Sequence, residues 1–214
     1  MPAKRKNKVK IKWSQEFAYA LGIIATDGNL SPDLRHINIT SKDKEILIKI
    51  KKIFNINNKI GRKSRGYSQE KKYFVLQFGD KNFYNFLNSI GLYKAKSKTL
   101  SALKIPSKYF IDFFLGCIDG DGCITISKHP ESSLPQLRVR LCSASIDFIN
   151  WVKSSIKKII GINNGWIYTT KKKIYFLSYG KMDSTKLLKI MYHRDTSYYL
   201  TRKYQVARKF LGEW

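Results

Sequence analysis

Two aspartates stand at the ends of two closely related apolar segments. Asp27 is the next-to-last residue of the first segment, residues 20–28, and Asp121 has the same place in the second, residues 114–122. Each segment therefore finishes in Asp-Gly. A carboxylate at the C-terminal end of a helix meets the negative end of the helix dipole, and two neighbouring carboxylates repel each other. A sequence that accepts both costs predicts a divalent cation between the acids, and hydrolysis of a phosphodiester is a reaction that such a site supports.

Small residues inside the two segments indicate how the acids are brought together. Gly22 and Gly116 occupy the same place in each segment, where a missing side chain lets two helix backbones approach closely. We therefore expect the helices to cross at these glycines and to place both terminal acids side by side. Asp119 has Ala25 as its counterpart, so we expect a structural role for it, as a capping group or beside the site.

The chain carries a large excess of positive charge. Its 214 residues include 41 Lys and Arg against 15 Asp and Glu, for a formal net charge of +26. A compact domain with this charge repels itself, and a polyanion relieves the repulsion while releasing counterions. Nucleic acid is therefore the expected partner, with a ribosomal-type RNA binder and a membrane-surface protein as the alternatives. Charge does not distinguish DNA from RNA.

The composition also bounds the class of protein and its compartment. Hydrophobic residues make up 43% of the chain and aromatic residues 14%, which favours a folded core over disorder. Lysines interrupt every long apolar run, so we expect no membrane span, and the basic N-terminus predicts no secretory signal. The three cysteines fit no zinc motif. We expect an intracellular protein, in the cytoplasm or nucleoid or in an organelle matrix.

The elements that must position the two acids occur twice. After the first segment, periodicity and turn residues predict strands at 28–31 and 36–41, a helix at 43–55, a hairpin returning at 73–78 and a helix at 80–90. After the second, the order returns with strands at 123–127 and 137–143, a helix at 146–160, a return strand at 175–180 and a helix at 181–192. The sequence predicts an α+β fold of two pseudo-symmetric α-β-β-α-β-β-α repeats, packed through the two motif helices. A solenoid is disfavoured, because the repeat is long and occurs only twice.

This layout divides the chain into four segments. A basic N-terminal arm covers residues 1–13, and we expect it to be flexible and to touch phosphates. The first repeat covers 14–96, a linker covers 97–108, and the second repeat covers 109–214.

The two apolar segments resemble the paired motifs of a LAGLIDADG homing endonuclease in its single-chain form. The second copy ends in Ile-Asp-Gly-Asp-Gly and follows the family pattern well, whereas Ala25 and Thr26 depart from it in the first copy. Both copies keep the final acid. The resemblance implies a saddle of antiparallel sheets facing DNA. It also implies a monomeric, magnesium-dependent endodeoxyribonuclease for intron homing, which makes a double-strand break with short 3′ overhangs at a long pseudo-palindromic site.

The resemblance further implies which residues hold the metal. In the family, the last acid of each motif binds the cation together with the carbonyl group of the residue before it. This gives Asp27 with Thr26, and Asp121 with Gly120. Magnesium keeps several waters and needs few protein oxygens, so oxygens of DNA can complete its coordination.

The family also places a lysine late in each repeat, near the attacking water or the scissile phosphate. Position within the repeat assigns this role to Lys96 and Lys203. The other basic residues close enough in sequence to take it are Lys94, Lys98 and Arg202.

Strands laid in a major groove present alternate side chains to the base edges. Alternation with buried residues predicts a DNA-facing set in the first repeat that comprises Asn29, Ser31, His36, Asn38, Thr40, Arg62, Ser64 and Lys72. The second repeat contributes Thr125, Ser127, His129, Gln136, Arg138, Arg140, Tyr168, Thr170 and Lys172. Because the two sets differ, the expected target is an asymmetric pseudo-palindrome.

Two other functions on the same fold stay open. One is an intron RNA maturase, with RNA as a further partner, and the other is a regulator that binds DNA without cleaving it. Loss of one or both acids would be typical of the regulator, and this chain keeps both. The sequence leaves open the target site, the host gene and the organism or organelle.

Overall fold

The computed structural model describes residues 8–64, 70–129, 132–192 and 198–211. In the first half, the elements are α1 (Gln15–Asp27), β1 (Gly28–Leu30), β2 (His36–Ser41), α2 (Lys44–Phe54), β3 (Ile60–Lys63), β4 (Tyr73–Gly79) and α3 (Lys81–Ser89). After a 3-10 turn (Ser107–Tyr109), the second half has α4 (Phe110–Asp121), β5 (Gly122–His129), β6 (Ser132–Ser143), α5 (Ile146–Ile160), β7 (Trp166–Thr169), β8 (Tyr175–Tyr179), α6 (Lys181–Tyr192) and α7 (Thr201–Leu211).

Each half contains one four-stranded antiparallel sheet. The strand order is β1-β2-β4-β3 in the first sheet and β5-β6-β8-β7 in the second. Helices cover one face of each sheet, and α1 and α4 pack against each other between the two halves. The expected α+β fold of two repeats joined through the motif helices is confirmed. The second half adds α7, which the sequence pattern did not predict and which has no helical counterpart in the described part of the first half.

Both motif helices are buried over most of their length. Ser14 caps α1, its Oγ accepting a hydrogen bond from the amide of Phe17 at 3.2 Å. From Phe17 to Ala25, and from Phe110 to Asp119, every residue is buried, as expected of helices that are apolar on all sides. Only the last turn of each helix emerges from the core, so the terminal acids are the parts that can meet a ligand.

The basic N-terminal arm is held in place where it is described. The amides of Lys8 and Val9 donate to Asp80 Oδ2 at 2.7 and 2.9 Å, and the Val9 side chain is buried. The expectation of a flexible arm is therefore wrong for these two residues, because Asp80 gathers their backbone donors at the start of α3. Residues 1–7, with Lys4, Arg5 and Lys6, lie outside the described residues, whereas Lys10 and Lys12 are described and exposed.

The segment 97–108 contacts both halves, since the amide of Lys104 donates to the carbonyl of Ile90 in the first half at 2.9 Å. Leu100 and Leu103 are buried, and the carbonyl of Leu100 accepts a hydrogen bond from Ser145 Oγ at the start of α5. This contact fixes the residues that follow Lys96. Among the described residues, no helix combines the length and the apolar character needed to cross a bilayer.

Candidate active site

The motif helices cross at their glycines. A Cβ atom on Gly22 would lie 2.1 Å from the carbonyl oxygen of Phe113 and 2.9 Å from the Cα of Gly116. A Cβ on Gly116 would lie 2.1 Å from the carbonyl oxygen of Tyr19. Since these are backbone contacts, no side-chain movement can make room. The close crossing predicted from the small residues is what the structure contains, and it brings the helix ends together.

The helix ends meet through Thr26 and Gly120. The Thr26 hydroxyl donates to the carbonyls of Gly22 and Ile23 at 3.1 Å each, and a Cβ on Gly120 would lie 2.0 Å from Thr26 Oγ1. The residues that precede the two terminal acids are therefore packed against each other. This contact places the acids at one site between the two halves.

The two acids influence each other electrostatically. Burial and the negative charge of Asp121 raise the pKa of Asp27 from 3.8 to about 7, although Lys203 and Lys96 act in the opposite direction. Asp121 ends α4 and is exposed. The negative charge of one carboxylate makes ionisation of the other costly. A cation bound between them would favour the ionised form of both acids.

Lys96 is a buried lysine that faces these acids. It is 7% exposed, and its ammonium donates to the carbonyl oxygen of Gly28, directly after Asp27. Burial lowers the pKa of Lys96 to about 8, with Asp121 and then Asp27 opposing the shift. Lys96, Thr26 and Asp121 line one cavity of about 310 Å³. Lys96 comes from the first half, yet it shares this cavity with the acid of the second half.

Lys203 is also buried, but its ammonium is bonded differently. It is 5% exposed and donates to the carbonyl oxygens of Ile118, Asp119 and Gly122 at 2.5, 2.9 and 2.7 Å. Burial lowers its pKa. An ammonium has three donors, and three carbonyls around the end of α4 take them up. The structure therefore brings both predicted lysines to the site, one beside each motif.

The alternative basic residues are placed elsewhere. Lys94 and Lys98 are exposed. Arg202 forms a bidentate ion pair with Asp43, in which Nε donates to Oδ1 at 2.9 Å and Nη2 donates to Oδ2 at 2.8 Å. Position within the repeat thus selected the two lysines that the fold buries at the acids.

The donor set fits a cation that takes part of its coordination from a ligand. The described residues contain no group of three or more His, Cys, Asp and Glu side chains arranged to hold a metal ion. Two carboxylates with nearby backbone carbonyls remain, and Mg²⁺ is commonly bound by one or two carboxylates plus phosphate oxygens. Metal ligation by Asp27, Asp121, Thr26 and Gly120 stays a prediction that this donor chemistry supports.

Asp119 lies behind the site. It is 1% exposed, and its Oδ2 accepts hydrogen bonds from the Tyr19 hydroxyl at 2.9 Å and from the Leu200 amide at 2.7 Å. Burial raises its pKa to about 6. Asp119 therefore joins α1, α4 and the start of α7, in line with the structural role that its unmatched position in the repeat predicts.

The open face of the first sheet is polar. Asn29 pairs with Asn38 and Asn38 with Gln77 across β1, β2 and β4, so their side chains share a face. Thr40 and His36 follow the same alternation on β2, and Ser31 Oγ accepts from Asn38 Nδ2 at 2.9 Å. The ring of His36 is held by Asp33. Ser64 lies just after β3, and Lys72 lies before β4 and pairs with Glu70 at 2.6 Å.

One member of the predicted set lies on the wrong face. Arg62 is paired with Phe74, which alternates with buried Leu76, and its guanidinium lies 5.4 Å from the Phe74 ring. The residue that shares the open face is Lys63, opposite Tyr73. The prediction was wrong by one position because turn residues between 63 and 73 left the register of β3 undefined.

The second sheet presents a longer open face that includes aromatic residues. Thr125 pairs with Arg138 and Ser127 with Gln136, and Arg140 lies on the same face. Tyr168 stacks on Phe176 at 5.0 Å, and Arg138 lies 6.0 Å from the ring of Trp166. Thr170 and Lys172 are exposed in the turn between β7 and β8. His129 ends β5, and its side chain lies outside the described part of the chain.

Sequence reasoning missed several open-face residues, namely Lys63, Gln77, Trp166 and Phe176. The alternation of β4 and β7 contained the signal for Gln77 and Trp166, since each is an exposed residue next to a buried or half-buried one. For every residue on these faces, contact with DNA stays a prediction.

Comparisons with known proteins agree with this architecture. Residues 14–91 match the family model of the LAGLIDADG-like domain. No curated protein matches the sequence. Among solved structures, the homing endonuclease I-WcaI bound to its DNA recognition sequence has a TM-score of 0.65 at 10% identity, over 93% of this chain and 88% of that one.

Two further structures have the same fold. I-DmoI in complex with DNA and Ca has a TM-score of 0.55 at 16% identity, over 85% of this chain and 91% of that one. The N-terminal LAGLIDADG domain of DUF199/WhiA has a TM-score of 0.56 at 14% identity, over 94% and 93% of the two chains. The fold of the chain is thus the two-repeat LAGLIDADG fold. Residues 14–91 match the LAGLIDADG-like domain itself, and the chain as a whole has the two-repeat LAGLIDADG fold that its two motifs predicted.

Proposed function

We propose that the protein is a site-specific DNA endonuclease that makes a metal-dependent double-strand break at a long pseudo-palindromic site. The observation that carries the proposal is the meeting of Asp27 and Asp121 at the ends of two crossing helices, between two sheets with polar open faces. The DNA-bound endonucleases of the same fold support DNA as the partner. Short 3′ overhangs and a role in intron homing are part of the proposal.

The two acids supply the metal-binding groups. Asp27 and Asp121, with the carbonyls of Thr26 and Gly120, would hold divalent metal, for which we propose Mg²⁺; I-DmoI has been solved with DNA and Ca and with DNA and Mn. Bound metal would activate water and neutralise the charge on the phosphate. One acid from each half then serves one strand of the duplex.

Lys96 supplies a positive charge on the protein side. Its ammonium makes one hydrogen bond in the described structure and lines the cavity beside Asp121. Because an ammonium carries three donors, it can keep its bond to Gly28 and still donate to a phosphate oxygen or to the attacking water. Its burial excludes bulk water and strengthens that interaction.

The sheets determine which duplex is bound. Side chains of the open faces would read base edges in the major groove, while lysines and arginines at the strand ends and turns contact phosphates. The first face is rich in amides and the second combines Arg138 with Trp166 and Tyr168. This difference supports an asymmetric target, read by a monomer whose halves each contact one half-site.

A non-cleaving role on the same fold is the second candidate. The WhiA match is a LAGLIDADG domain and is not described as an endonuclease, so the fold alone does not establish cleavage. An intron RNA maturase is the other alternative. We propose that the protein works in the cytoplasm or nucleoid, or in an organelle matrix, where its three cysteines remain free thiols.

The experiment that tests the proposal is selection of cleaved molecules from a randomised duplex library in the presence of Mg²⁺. Recovery of one long site, cut in both strands, supports the endonuclease and supplies its target. Tight, salt-sensitive binding without cleavage would contradict it and favour the regulator or, if RNA competes better than DNA, the maturase.

A further inference from the structure

Three carboxylates hold the start of α7 at three consecutive residues. The amide of Leu200 donates to Asp119 Oδ2 at 2.7 Å. Thr201 Oγ1 donates to Glu45 Oε1 at 2.5 Å, and the guanidinium of Arg202 pairs with both oxygens of Asp43. We call Asp43, Glu45 and Asp119 the carboxylate clamp. Acids at a helix N-terminus are stabilised by the free amides and the helix dipole found there.

Two members of the clamp come from the other half of the molecule. Asp43 and Glu45 lie at the start of α2, in the first repeat, whereas α7 belongs to the second. Lys49, also on α2, donates to the carbonyl of Tyr199 and lies 5.1 Å from its ring. The start of α7 is therefore attached to the first repeat as well as to α4.

Lys203 is the next residue along α7. Its ammonium bonds to Ile118, Asp119 and Gly122, whose carbonyls lie on both sides of Asp121 in the chain. These bonds satisfy carbonyls at the C-terminal end of α4, where cations are favoured. Lys203 thus fixes the corner between α4 and β5 from which the Asp121 carboxylate projects.

We propose that the carboxylate clamp and Lys203 form one positioning device, which sets the Asp121 carboxylate relative to Asp27 only when α7 is docked on the first repeat. This inference rests on the proposed endonuclease function. It assigns Lys203 a role that differs from that of Lys96. Lys203 acts on Asp121 through the backbone, whereas Lys96 keeps donors for the phosphate.

The burial of Asp119 supports a specific role over general packing. Its Oδ1 is buried and has no hydrogen-bond partner in the described structure, and a buried polar atom without a partner costs free energy. The matching position in the first repeat is filled by Ala25, so the fold does not require an acid there. Among the described residues of the first repeat, no helix corresponds to α7, so an acid at that position would have no helix to hold.

The test compares Asp119→Ala, Asp119→Asn, Lys203→Met and the double variant Asp119→Ala/Lys203→Met. Cleavage of the selected duplex is measured at saturating protein, with binding affinity measured in parallel. Asp147→Ala is the matched control, because Asp147 is an exposed acid in the first turn of α5. We expect Asp119→Ala to slow cleavage by about tenfold or more with affinity within about threefold, because remote positioning errors act on the reacting geometry.

The pattern among the variants separates positioning from loss of folding. Asp119→Asn should restore most of the rate, because an amide oxygen can accept the same two hydrogen bonds. The double variant should be no slower than Lys203→Met alone, since both substitutions break the same device. Independent, multiplicative losses, or Asp119→Ala at the wild-type rate, would overturn the proposal while leaving the endonuclease function in place.

Hydrogen exchange of the metal-free, DNA-free protein supplies a readout that does not depend on cleavage. Asp119→Ala should speed exchange of the Leu200 and Thr201 amides, and the Asp147→Ala control should not. Unchanged exchange would show that the clamp does not hold α7 and would overturn the inference. Absence of cleavage by the wild-type protein would instead overturn the proposed function, and with it the catalytic part of this inference.

Discussion

Gly22 and Gly116 face each other where α1 crosses α4. A Cβ on Gly116 would lie 3.0 Å from the Cα of Gly22, and either added methyl group would lie 2.1 Å from a carbonyl oxygen of the opposite helix. We expect Gly22→Ala and Gly116→Ala to separate the helices and to lower the free energy of unfolding by about 3 kcal/mol, because overpacking against backbone cannot relax locally. Urea denaturation measures this loss.

Gly61→Ala is the control for these two variants. A Cβ at Gly61 would make only ordinary contacts with Val75, at 3.4 Å and beyond. Stability of Gly22→Ala and Gly116→Ala equal to that of Gly61→Ala would show that the helices do not cross as closely as the structure has them.

The burial of Asp27 and its repulsion by Asp121 predict a pH dependence of the metal-free protein. The pKa of Asp27 is raised from 3.8 to about 7, so the folded state holds its proton more tightly than the unfolded state. The stabilisation from this proton is fully present below about pH 4 and is lost as pH rises through about 7. Denaturation in EDTA across this range should show a decline that Asp27→Asn makes smaller, with the remainder due to Asp119, whose pKa is also raised.

A carbon-detected NMR titration locates the same effect at one atom. In Asp121→Asn, the pKa of Asp27 should fall, because the repulsion from Asp121 that contributes to its rise is gone. An Asp27 carboxyl that titrates identically in both proteins would mean that the two acids are too far apart to share a site.

The cavity that Lys96 shares with Asp121 predicts a specific defect. Lys96→Met removes the buried ammonium and leaves a side chain of nearly the same length as lysine. We expect cleavage to slow by about 100-fold while affinity for the duplex changes little. Lys98→Met is the control, since Lys98 is exposed nearby in the chain. Equal effects of the two substitutions on cleavage would remove Lys96 from the site's chemistry.

The net charge of +26 predicts strongly salt-dependent binding. Contacts to several phosphates release counterions, so the logarithm of the affinity should fall linearly with the logarithm of salt concentration, with a slope near 0.9 per phosphate contact. Replacing Lys63 with Met should reduce that slope by about one if Lys63 meets a phosphate. A flat response would rule out electrostatic binding by this surface.

The periodic elements were predictable because each buries one face. The strands and helices of the two repeats lie within a few residues of their predicted positions, as at α5, predicted and observed at 146–160. Apolar spacing alone determines such elements. The register of β3 was not predictable, since Arg62 and Lys63 are both polar and neighbouring residues give no alternation across the turn.

Helix α7 was not predicted from the sequence, for a different reason. Its buried residues are Lys203, Ala207 and Leu211, so one of the three buried positions looks like surface in the sequence. Its start is stabilised by Asp43 and Glu45, which are more than 150 residues away. Contacts between distant segments leave no local pattern, and the clamp was therefore visible only in the folded chain. The acids and glycines of the site were recognisable because their order repeats.

The duplex recovered by selection allows the roles of Asp27 and Asp121 in double-strand cleavage to be measured directly. Each strand is labelled separately, and cleavage by the wild-type protein, Asp27→Asn and Asp121→Asn is followed in Mg²⁺ and in EDTA, with binding measured for all three. We expect that only the wild-type protein with Mg²⁺ cuts both strands, while all three proteins bind with similar affinity. Full double-strand cleavage by either variant would contradict the assignment of Asp27 and Asp121 as the metal-binding pair.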